Sequence, residues 1–217
     1  MALVIFDLDD TLISRSKAIR AWAELLTGKE QLHPYAADII VTLDQNGNID
    51  RRSFLDAVHR LPGMRMSRND LQEWYALTYV SCYEREHESI NALELLRSKD
   101  WKIGIATNGS PARTHLKLER AGLASLIDAL CIGEEIGFRK PSITIFEEVA
   151  RRCNVELSGW MIGDAPLEDI WAGAAAGLHT AWLRNGQSWP ALDWTPDIQA
   201  NSITEAVDQI LLTSSEH

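Results

Sequence analysis

A short apolar run leads straight into a group of acidic residues in the sequence Leu3-Val4-Ile5-Phe6-Asp7-Leu8-Asp9-Asp10-Thr11-Leu12. The continuous apolar run predicts a strand that is buried on both faces inside a parallel sheet. Asp7 and Asp9 are separated by one residue, so both side chains leave the same face if the backbone stays extended. Two close carboxylates repel each other unless a cation offsets their charge, and Mg²⁺ prefers such oxygen ligands. We therefore expect a cation site here, with an acidic surface turn as the alternative.

The rest of the chain divides into a helical part and an alternating part. The helical part has predicted helices at residues 17–26, 35–43, 51–60 and 69–83, the first ended by Thr27-Gly28. From Ile90 onward, predicted helices alternate with predicted strands at residues 101–106, 129–132, 159–163 and 180–183. The helices of this part are predicted at residues 90–98, 111–121, 143–153, 167–176 and 203–212. An edge element is predicted after Asp197. This alternation predicts an α/β fold with a parallel sheet and right-handed crossovers.

Polar side chains follow the predicted strands at the edge where a parallel α/β sheet binds its ligands. Thr107 and Asn108 come after the strand at 101–106, and Asp164 comes directly after the strand at 159–163. Asp169 follows five residues later, and Lys140 precedes a predicted helix. Each has an ordinary explanation on its own, as turn chemistry, a solvated lysine or a helix start.

Taken together, these segments resemble the four motifs of the haloacid dehalogenase superfamily of phosphohydrolases. The matching segments, from motif I to motif IV, are Asp7-Leu8-Asp9-Asp10-Thr11, Ala106-Thr107-Asn108-Gly109, Lys140-Pro141, and Gly163-Asp164 through Asp169. Ser142 stands where many members carry another residue, which leaves the substrate preference open. The resemblance implies a Rossmann-like core domain formed by residues 1–14 and 88–217. It also implies that residues 15–87 are an inserted α-helical cap domain.

The resemblance implies catalysis through an aspartyl-phosphate intermediate. Asp7 would be the nucleophile, and Asp9 would protonate the leaving alcohol and then take a proton from the attacking water. Thr11 would hold the active-site turn in position. Asp10 is expected to point away from Asp7 and Asp9, because alternate side chains of a strand face opposite sides.

The resemblance also implies a set of binding residues. Mg²⁺ would be bound by the carboxylates of Asp7 and Asp164 and by the backbone carbonyl of Asp9. The phosphoryl group would be held by Thr107, by the backbone N–H of Asn108 and by Lys140. Asp169 would orient Lys140 or a metal-bound water.

We therefore expect a Mg²⁺-dependent phosphomonoester hydrolase that acts on a small phosphorylated metabolite, such as a nucleotide, flavin mononucleotide or a sugar phosphate. The alternatives on the same core are a 2-haloacid dehalogenase, a phosphomutase and a non-catalytic phosphate-binding regulatory module. A phosphonate hydrolase would need a lysine in the insert that forms a Schiff base. Lys17 and Lys29 are the lysines there, and neither has a suitable context.

Charge and composition restrict the partners and the compartment. The formal net charge of the 217 residues is −10, which argues against binding to nucleic acid or to an anionic membrane. Signal-peptide features and long apolar runs are not found in the sequence. The cysteines are odd in number and widely spaced, at Cys82, Cys131 and Cys153, which favours free thiols. We expect a cytoplasmic protein with a small-molecule substrate, as a monomer or homodimer.

Overall fold

The computed structural model describes residues 2–214 and divides them into two compact units. One unit contains the described residues up to Ile13 and from Arg85 onward, and the other is Ser14–Glu84. The predicted domain boundaries, after residue 14 and after residue 87, stay predictions, as does the interpretation of the inserted segment as a cap.

The first unit is built on a six-stranded parallel sheet, and the predicted α/β fold is confirmed. The strands are β1 (Leu3–Phe6), β2 (Lys102–Thr107), β3 (Ala129–Ile132), β4 (Gly159–Gly163), β5 (His179–Leu183) and β6 (Ile198–Ala200). Their order across the sheet is β3-β2-β1-β4-β5-β6. The chain therefore builds the sheet outward from β1 in one direction and then in the other.

The unit formed by residues 14–84 is helical. Its α-helices are α1 (Arg15–Glu30), α2 (Ala36–Leu43), α3 (Arg51–His59) and α4 (Arg68–Thr78). The prediction that Thr27-Gly28 ends the first helix is wrong, because α1 continues to Glu30 and is capped by Gln31 in a left-handed conformation with φ 54°. Glycine inside a helix costs only about 1 kcal/mol relative to alanine, less than burial of Trp22 and Leu26 on this helix contributes. The predicted helix at 69–83 ends at Thr78 and is followed by a short 3₁₀ turn.

Helices connect the strands of the first unit. They are α5 (His87–Ser98), α6 (Pro111–Ala121), α7 (Gly133–Ile136), α8 (Thr144–Cys153), α9 (Ala172–Ala175) and α10 (Ile203–Ser214). The helix predicted at residues 167–176 is present but is not α-helical throughout: a π-helical turn, Pro166–Trp171, leads directly into the short α9. The Ile170 N–H donates to the Ala165 carbonyl, five residues back, which gives the wider turn. The short helix α7 was not predicted.

The centre of the sheet is β1, whose four residues are fully buried. It hydrogen-bonds with β2 on one side and β4 on the other. Because the strand order reverses between β1 and β4, their carboxyl ends border the crevice where open α/β sheets bind ligands. No helix within residues 2–214 combines the length and apolar character required to cross a membrane.

Candidate active site

Three aspartates meet at the carboxyl ends of β1 and β4. Asp7 directly follows β1, and its N–H donates to the Ile162 carbonyl at 2.9 Å, which ties it to the neighbouring strand. Asp164 directly follows β4, and Asp169 comes from the π-helical turn. One carboxylate oxygen from each of Asp7, Asp164 and Asp169 lies within 4.8 Å of the others. The sheet therefore brings together acidic residues that are far apart in the sequence.

Lys140 places a positive charge inside this acidic cluster. Its ammonium Nζ lies 2.5 Å from Asp7 Oδ1 and 2.6 Å from Asp169 Oδ1. Lys140 is only 4% exposed, so both contacts are made away from bulk water. Charge-assisted hydrogen bonds of this kind fix the positions of their partners. Lys140 therefore holds Asp7 and Asp169 in a defined arrangement.

The local backbone explains how Asp169 reaches Lys140. Asp169 Oδ2 accepts a hydrogen bond from the Ala165 N–H at 3.0 Å, and Asp169 is 0% exposed. The carboxylate packs against Gly163, where an added Cβ would lie 2.3 Å from Asp169 Oδ2. Only glycine leaves room for this contact. Both oxygens of Asp169 are thus used in positioning contacts with its neighbours.

Burial and mutual repulsion raise the pKa values of two of these aspartates. Burial raises the pKa of Asp7 to about 7, even though Lys140 acts in the opposite direction. Burial, together with the charges of Asp7, Asp169 and Asp10, raises the pKa of Asp164 to about 8. Burial alone would lower the pKa of Lys140, but the facing carboxylates outweigh it and the pKa is raised. The cluster is therefore short of positive charge.

Thr107 is the last residue of β2 and Asn108 follows it, at the same edge of the sheet. The Asn108 side chain bonds to both sides of the Lys140 backbone: its Oδ1 accepts from the Lys140 N–H at 2.8 Å and its Nδ2 donates to the Lys140 carbonyl at 2.9 Å. Thr107 Oγ1 accepts from the Gly109 N–H at 3.1 Å and the residue is 2% exposed. Asn108 therefore fixes the Lys140 segment, and the predicted phosphate contacts of Thr107 and the Asn108 N–H stay predictions.

The backbone turns soon after β1, and Asp9 forms an isolated β-bridge with Ile13 just before the turn. β1 ends at Phe6, and Asp10 takes a left-handed conformation with φ 58°. The expectation that Asp10 points away from Asp7 and Asp9 stays a prediction, although its charge contributes to the raised pKa of Asp164. Asp9 does not join the cluster of three carboxylates. Its side chain instead forms an ion pair with Lys117, 2.7 Å from each oxygen.

Lys117 was not found by the sequence reasoning, although the sequence contains a signal for it. On α6 it lies on the buried face, together with Thr114, Leu118 and Ala121. These positions follow the i, i+3, i+4, i+7 spacing of an apolar helix face. A lysine at a core-facing position requires a buried partner, and here the partner is Asp9.

Thr11 is buried, at 8% exposed. Its hydroxyl has no hydrogen-bond partner among the described residues. The role predicted for Thr11 therefore stays a prediction.

The donor set fits a hard divalent cation. Asp7, Asp164 and Asp169 supply three carboxylates, and Lys140 supplies one compensating charge. Because both Asp169 oxygens are engaged, Asp7 and Asp164 are the carboxylates better placed to bind a cation, and the predicted contribution of the Asp9 carbonyl stays a prediction. Oxygen donors of this type suit Mg²⁺.

The sequence matches one family model over most of its length. The model describes a haloacid dehalogenase-like hydrolase and covers residues 1–177. The chain belongs to this family. The predicted superfamily is confirmed, and with it the prediction that this haloacid dehalogenase-like protein is an enzyme of the hydrolase class.

Curated relatives of this haloacid dehalogenase-like chain include phosphatases. Over 84 residues the chain is 44% identical to the pyrimidine 5′-nucleotidase YjjG of Escherichia coli K12, an alignment that covers 38% of this chain and only 37% of the relative. A glyceraldehyde 3-phosphate phosphatase of Methanothermobacter thermautotrophicus is also matched over 37% of its length. The glyceraldehyde 3-phosphate phosphatase of Methanopyrus kandleri is 29% identical over 199 residues, which cover 85% of this chain and 84% of the relative.

Solved structures support the fold. The HAD-hydrolase YfnB of Bacillus subtilis, solved with bound magnesium, superposes with a TM-score of 0.72 at 22% identity, covering 97% of this chain and 98% of that one. The L-2-haloacid dehalogenase of Xanthobacter autotrophicus superposes with a TM-score of 0.74 at 13% identity over 100% of both chains. Enzymes that act on different substrates therefore share this architecture.

Proposed function

We propose that the protein is a Mg²⁺-dependent phosphomonoester hydrolase that acts on a small phosphorylated metabolite through an aspartyl-phosphate at Asp7. The observation that carries the proposal is the buried contact between Asp7 and Lys140 at the crevice between β1 and β4, with Asp164 beside it. Phosphoryl transfer needs a fixed nucleophile and positive charge around the transferred group. This cluster supplies the nucleophile, one fixed ammonium and the ligands for a cation.

In the first step, an Asp7 oxygen forms a bond to phosphorus while the bond from phosphorus to the ester oxygen breaks. The ester oxygen keeps the electron pair of that bond and receives a proton from Asp9, so an alcohol leaves. In the second step, water attacks the phosphorus, gives a proton to Asp9 and releases Asp7 and inorganic phosphate. Lys140 offsets the charge of Asp7 and of the transferred group throughout.

Asp7, Asp164 and the Asp9 carbonyl would hold the magnesium ion. When bound, the ion neutralises charge on the phosphoryl oxygens and lowers repulsion between them and the carboxylates. Asp169 keeps Lys140 directed at Asp7, since it accepts a hydrogen bond from the same ammonium. Thr107 and the Asn108 N–H are the proposed donors to the phosphoryl oxygens.

The raised pKa values of Asp7 and Asp164 support a cation in preference to metal-free chemistry. A 2-haloacid dehalogenase shares the nucleophilic aspartate but needs neither a cation nor an acid for the departing halide. In this chain Asp164 is placed beside Asp7, where it adds repulsion that a cation would relieve. Release of chloride from a 2-haloacid without Mg²⁺ would favour the dehalogenase instead.

The substrates to test come from the names of the relatives, which include a phosphoglycolate phosphatase of Cereibacter sphaeroides, and from the metabolites expected from the sequence. A panel would contain pyrimidine nucleoside monophosphates, glyceraldehyde 3-phosphate, phosphoglycolate, flavin mononucleotide and sugar phosphates, with p-nitrophenyl phosphate as a general substrate. We expect phosphate release that EDTA abolishes and Mg²⁺ restores, and a loss of at least about 10³-fold for Asp7→Asn because the nucleophile is removed. Activity that survives EDTA, or an Asp7→Asn variant that keeps it, would contradict the proposal. Binding without turnover across the panel would favour a regulatory module.

A further inference from the structure

Lys117 forms a partly buried ion pair with Asp9, and the site predicted from the sequence gives Lys117 no role. Its Nζ lies 2.7 Å from both carboxylate oxygens of Asp9. Lys117 is 6% exposed, and the Asp9 side chain is 22% exposed. A buried lysine is costly unless its charge is paired. The contact is therefore a specific feature of the fold and not a chance surface pair.

We propose that Lys117 is a positioning residue, which holds the Asp9 carboxyl group where it can give a proton to the leaving oxygen and take one from water. This inference rests on the proposed function and assigns a further residue to the same reaction. Two charge-assisted hydrogen bonds from one ammonium restrict the rotation of the ionised Asp9 carboxylate, the form that takes a proton from water; in the protonated form the ammonium keeps its bond to the oxygen that does not carry the proton. A proton donor held in one orientation transfers its proton more efficiently than one that samples several.

The backbone that carries Asp9 is fixed by other contacts. The Asn185 side chain donates to the Asp10 carbonyl at 2.8 Å, and Ser89 Oγ donates to the Leu12 carbonyl at 2.7 Å. Within the turn, the Asp10 N–H donates to the Ile13 carbonyl at 2.7 Å. Because these bonds do not involve Lys117, loss of Lys117 should make the Asp9 carboxyl group less constrained and leave the turn in place.

The helix that carries Lys117 also begins at the proposed phosphate-binding segment. α6 starts at Pro111, immediately after the loop that begins with Asn108 and connects it to Thr107, the last residue of β2. Thr114, on the same buried face as Lys117, donates from Oγ1 to the Ser110 carbonyl at 2.9 Å and so anchors the first turn. One short helix therefore sets both the position of the phosphate donors and the position of the residue that holds the acid.

A test follows from the chemistry of the leaving group. Phenyl phosphate and p-nitrophenyl phosphate have nearly the same shape, but phenolate is the poorer leaving group and depends more on a proton from Asp9. The quantity to compare is kcat/KM, because it reports the step in which the ester bond breaks and not the later hydrolysis of the phosphoenzyme. General acid catalysis contributes about 10²–10⁴-fold where it is needed.

We expect Lys117→Met to lower kcat/KM by about 10²-fold for phenyl phosphate and by no more than about threefold for p-nitrophenyl phosphate. Lys117→Arg, which keeps the charge, should recover most of the loss. Asp9→Asn serves as the reference. It should also lower kcat/KM more for phenyl phosphate than for p-nitrophenyl phosphate, with a larger difference between the two esters than in Lys117→Met. The matched control is Lys102→Met, which removes another ion-paired lysine. Lys102 lies at the start of β2, and its Nζ is 2.8 Å from Asp128 Oδ1. This variant should leave kcat/KM unchanged for both esters.

Two further measurements separate positioning from a structural or metal-binding role. Titration calorimetry with Mg²⁺ alone should give a dissociation constant for Lys117→Met within about twofold of the parent value, because the Asp9 backbone is held independently. Retained p-nitrophenyl phosphate activity shows that the variant is folded, and Lys117→Gln replaces Lys117→Met if the latter does not fold. A crystal structure of the variant should show the Asp9 carboxyl group displaced.

The outcomes are distinguishable. Equal losses on the two esters, no loss on either, or a fall in Mg²⁺ affinity that matches the fall in activity would overturn the role of Lys117 and leave the proposed function intact. An Asp7→Asn variant that retains activity would overturn the proposed function. An Asp9→Asn variant that treats the two esters alike would overturn both the role of Asp9 and that of Lys117.

Discussion

Lys140 Nζ lies 2.5 Å from Asp7 Oδ1, and the two residues come from segments more than half the chain apart. The same ammonium also bonds to Asp169, so a single lysine fixes the nucleophile and a neighbouring acid. Because Lys140 is only 4% exposed, neither contact can be replaced easily by water. The arrangement of the site therefore depends on one buried charge.

Replacement of Lys140 by methionine should reduce both activity and stability. Removal of one partner from a buried ion pair leaves an uncompensated charge and costs about 3–5 kcal/mol. We expect the free energy of unfolding to fall by about this amount in urea titrations and kcat/KM to fall by at least about 10²-fold. Lys102→Met, at a partly exposed ion pair, should change the urea midpoint little. Wild-type activity in Lys140→Met would contradict the assignment.

Replacement of Gly163 by alanine should disturb the site although no charged residue is replaced. The new methyl group would lie 2.3 Å from Asp169 Oδ2, so Asp169 must move and its bond to Lys140 must lengthen. Changes to such supporting contacts typically cost about 10–100-fold in activity or metal affinity. Gly28→Ala is the matched control, since a Cβ there meets nothing within 4 Å. Equal activities of the two variants in steady-state assays would show that Asp169 has no supporting role.

Asp164→Asn should stabilise the metal-free protein while it weakens magnesium binding. The pKa of Asp164 is raised from 3.8 to about 8, so the folded state holds a proton that the unfolded state releases between these values. The contribution of Asp164 to the free energy of unfolding is therefore lost as the pH rises through that window. Asparagine removes the cost of ionising a buried carboxyl group in the folded state. At pH 8.5 with EDTA we expect a rise in Tm, at about 2–4 °C per kcal/mol for a protein of this size.

The control for this variant is Asp193→Asn, at an exposed loop position. It should change neither the Tm nor the magnesium dissociation constant. A Tm of Asp164→Asn below that of the parent at pH 8.5 would show that Asp164 makes a net stabilising contact in the metal-free protein.

Magnesium binding should release protons and weaken as the pH falls. In the metal-free site the pKa values of Asp7 and Asp164 are raised to about 7 and about 8, so both carboxyl groups are partly protonated near neutrality. A cation competes with these protons, and affinity should fall from pH 8.5 to pH 6. Titration calorimetry in two buffers of different ionisation enthalpy measures the protons released. A dissociation constant that stays the same across this range would contradict the pKa directions.

The sequence was sufficient to predict the residues at the strand ends. Asp7, Thr107 and Asp164 each follow a short apolar run, and parallel strands place their carboxyl ends at one edge. The order of the strands in the sheet could not be predicted in this way, because hydrophobic periodicity identifies a strand but not the strands that pair with it. The spacing from Asp164 to Asp169 suggested an ordinary helix, whereas a π-helical turn places Asp169 against Gly163.

The contact between Asp9 and Lys117 could not be derived from sequence reasoning. It joins residues 108 positions apart, and their proximity depends on how α6 packs. Regular pairing in β1 ends at Phe6, and Asp10 adopts a left-handed backbone that turns the chain after Asp9. Alternation rules hold only while the backbone stays extended. A turn of this kind is a tertiary feature that local propensity does not reveal.

The central position of β1 has a consequence for synthesis in the cell. Leu3 pairs with Lys102 and with Gly159, so this wholly apolar strand emerges from the ribosome long before either neighbour exists. At a translation rate of about 5–20 residues per second, the second partner follows roughly 8–30 seconds later. During that interval β1 lacks one or both of its hydrogen-bonding partners, so the centre of the sheet can be completed only after most of the chain has been synthesised.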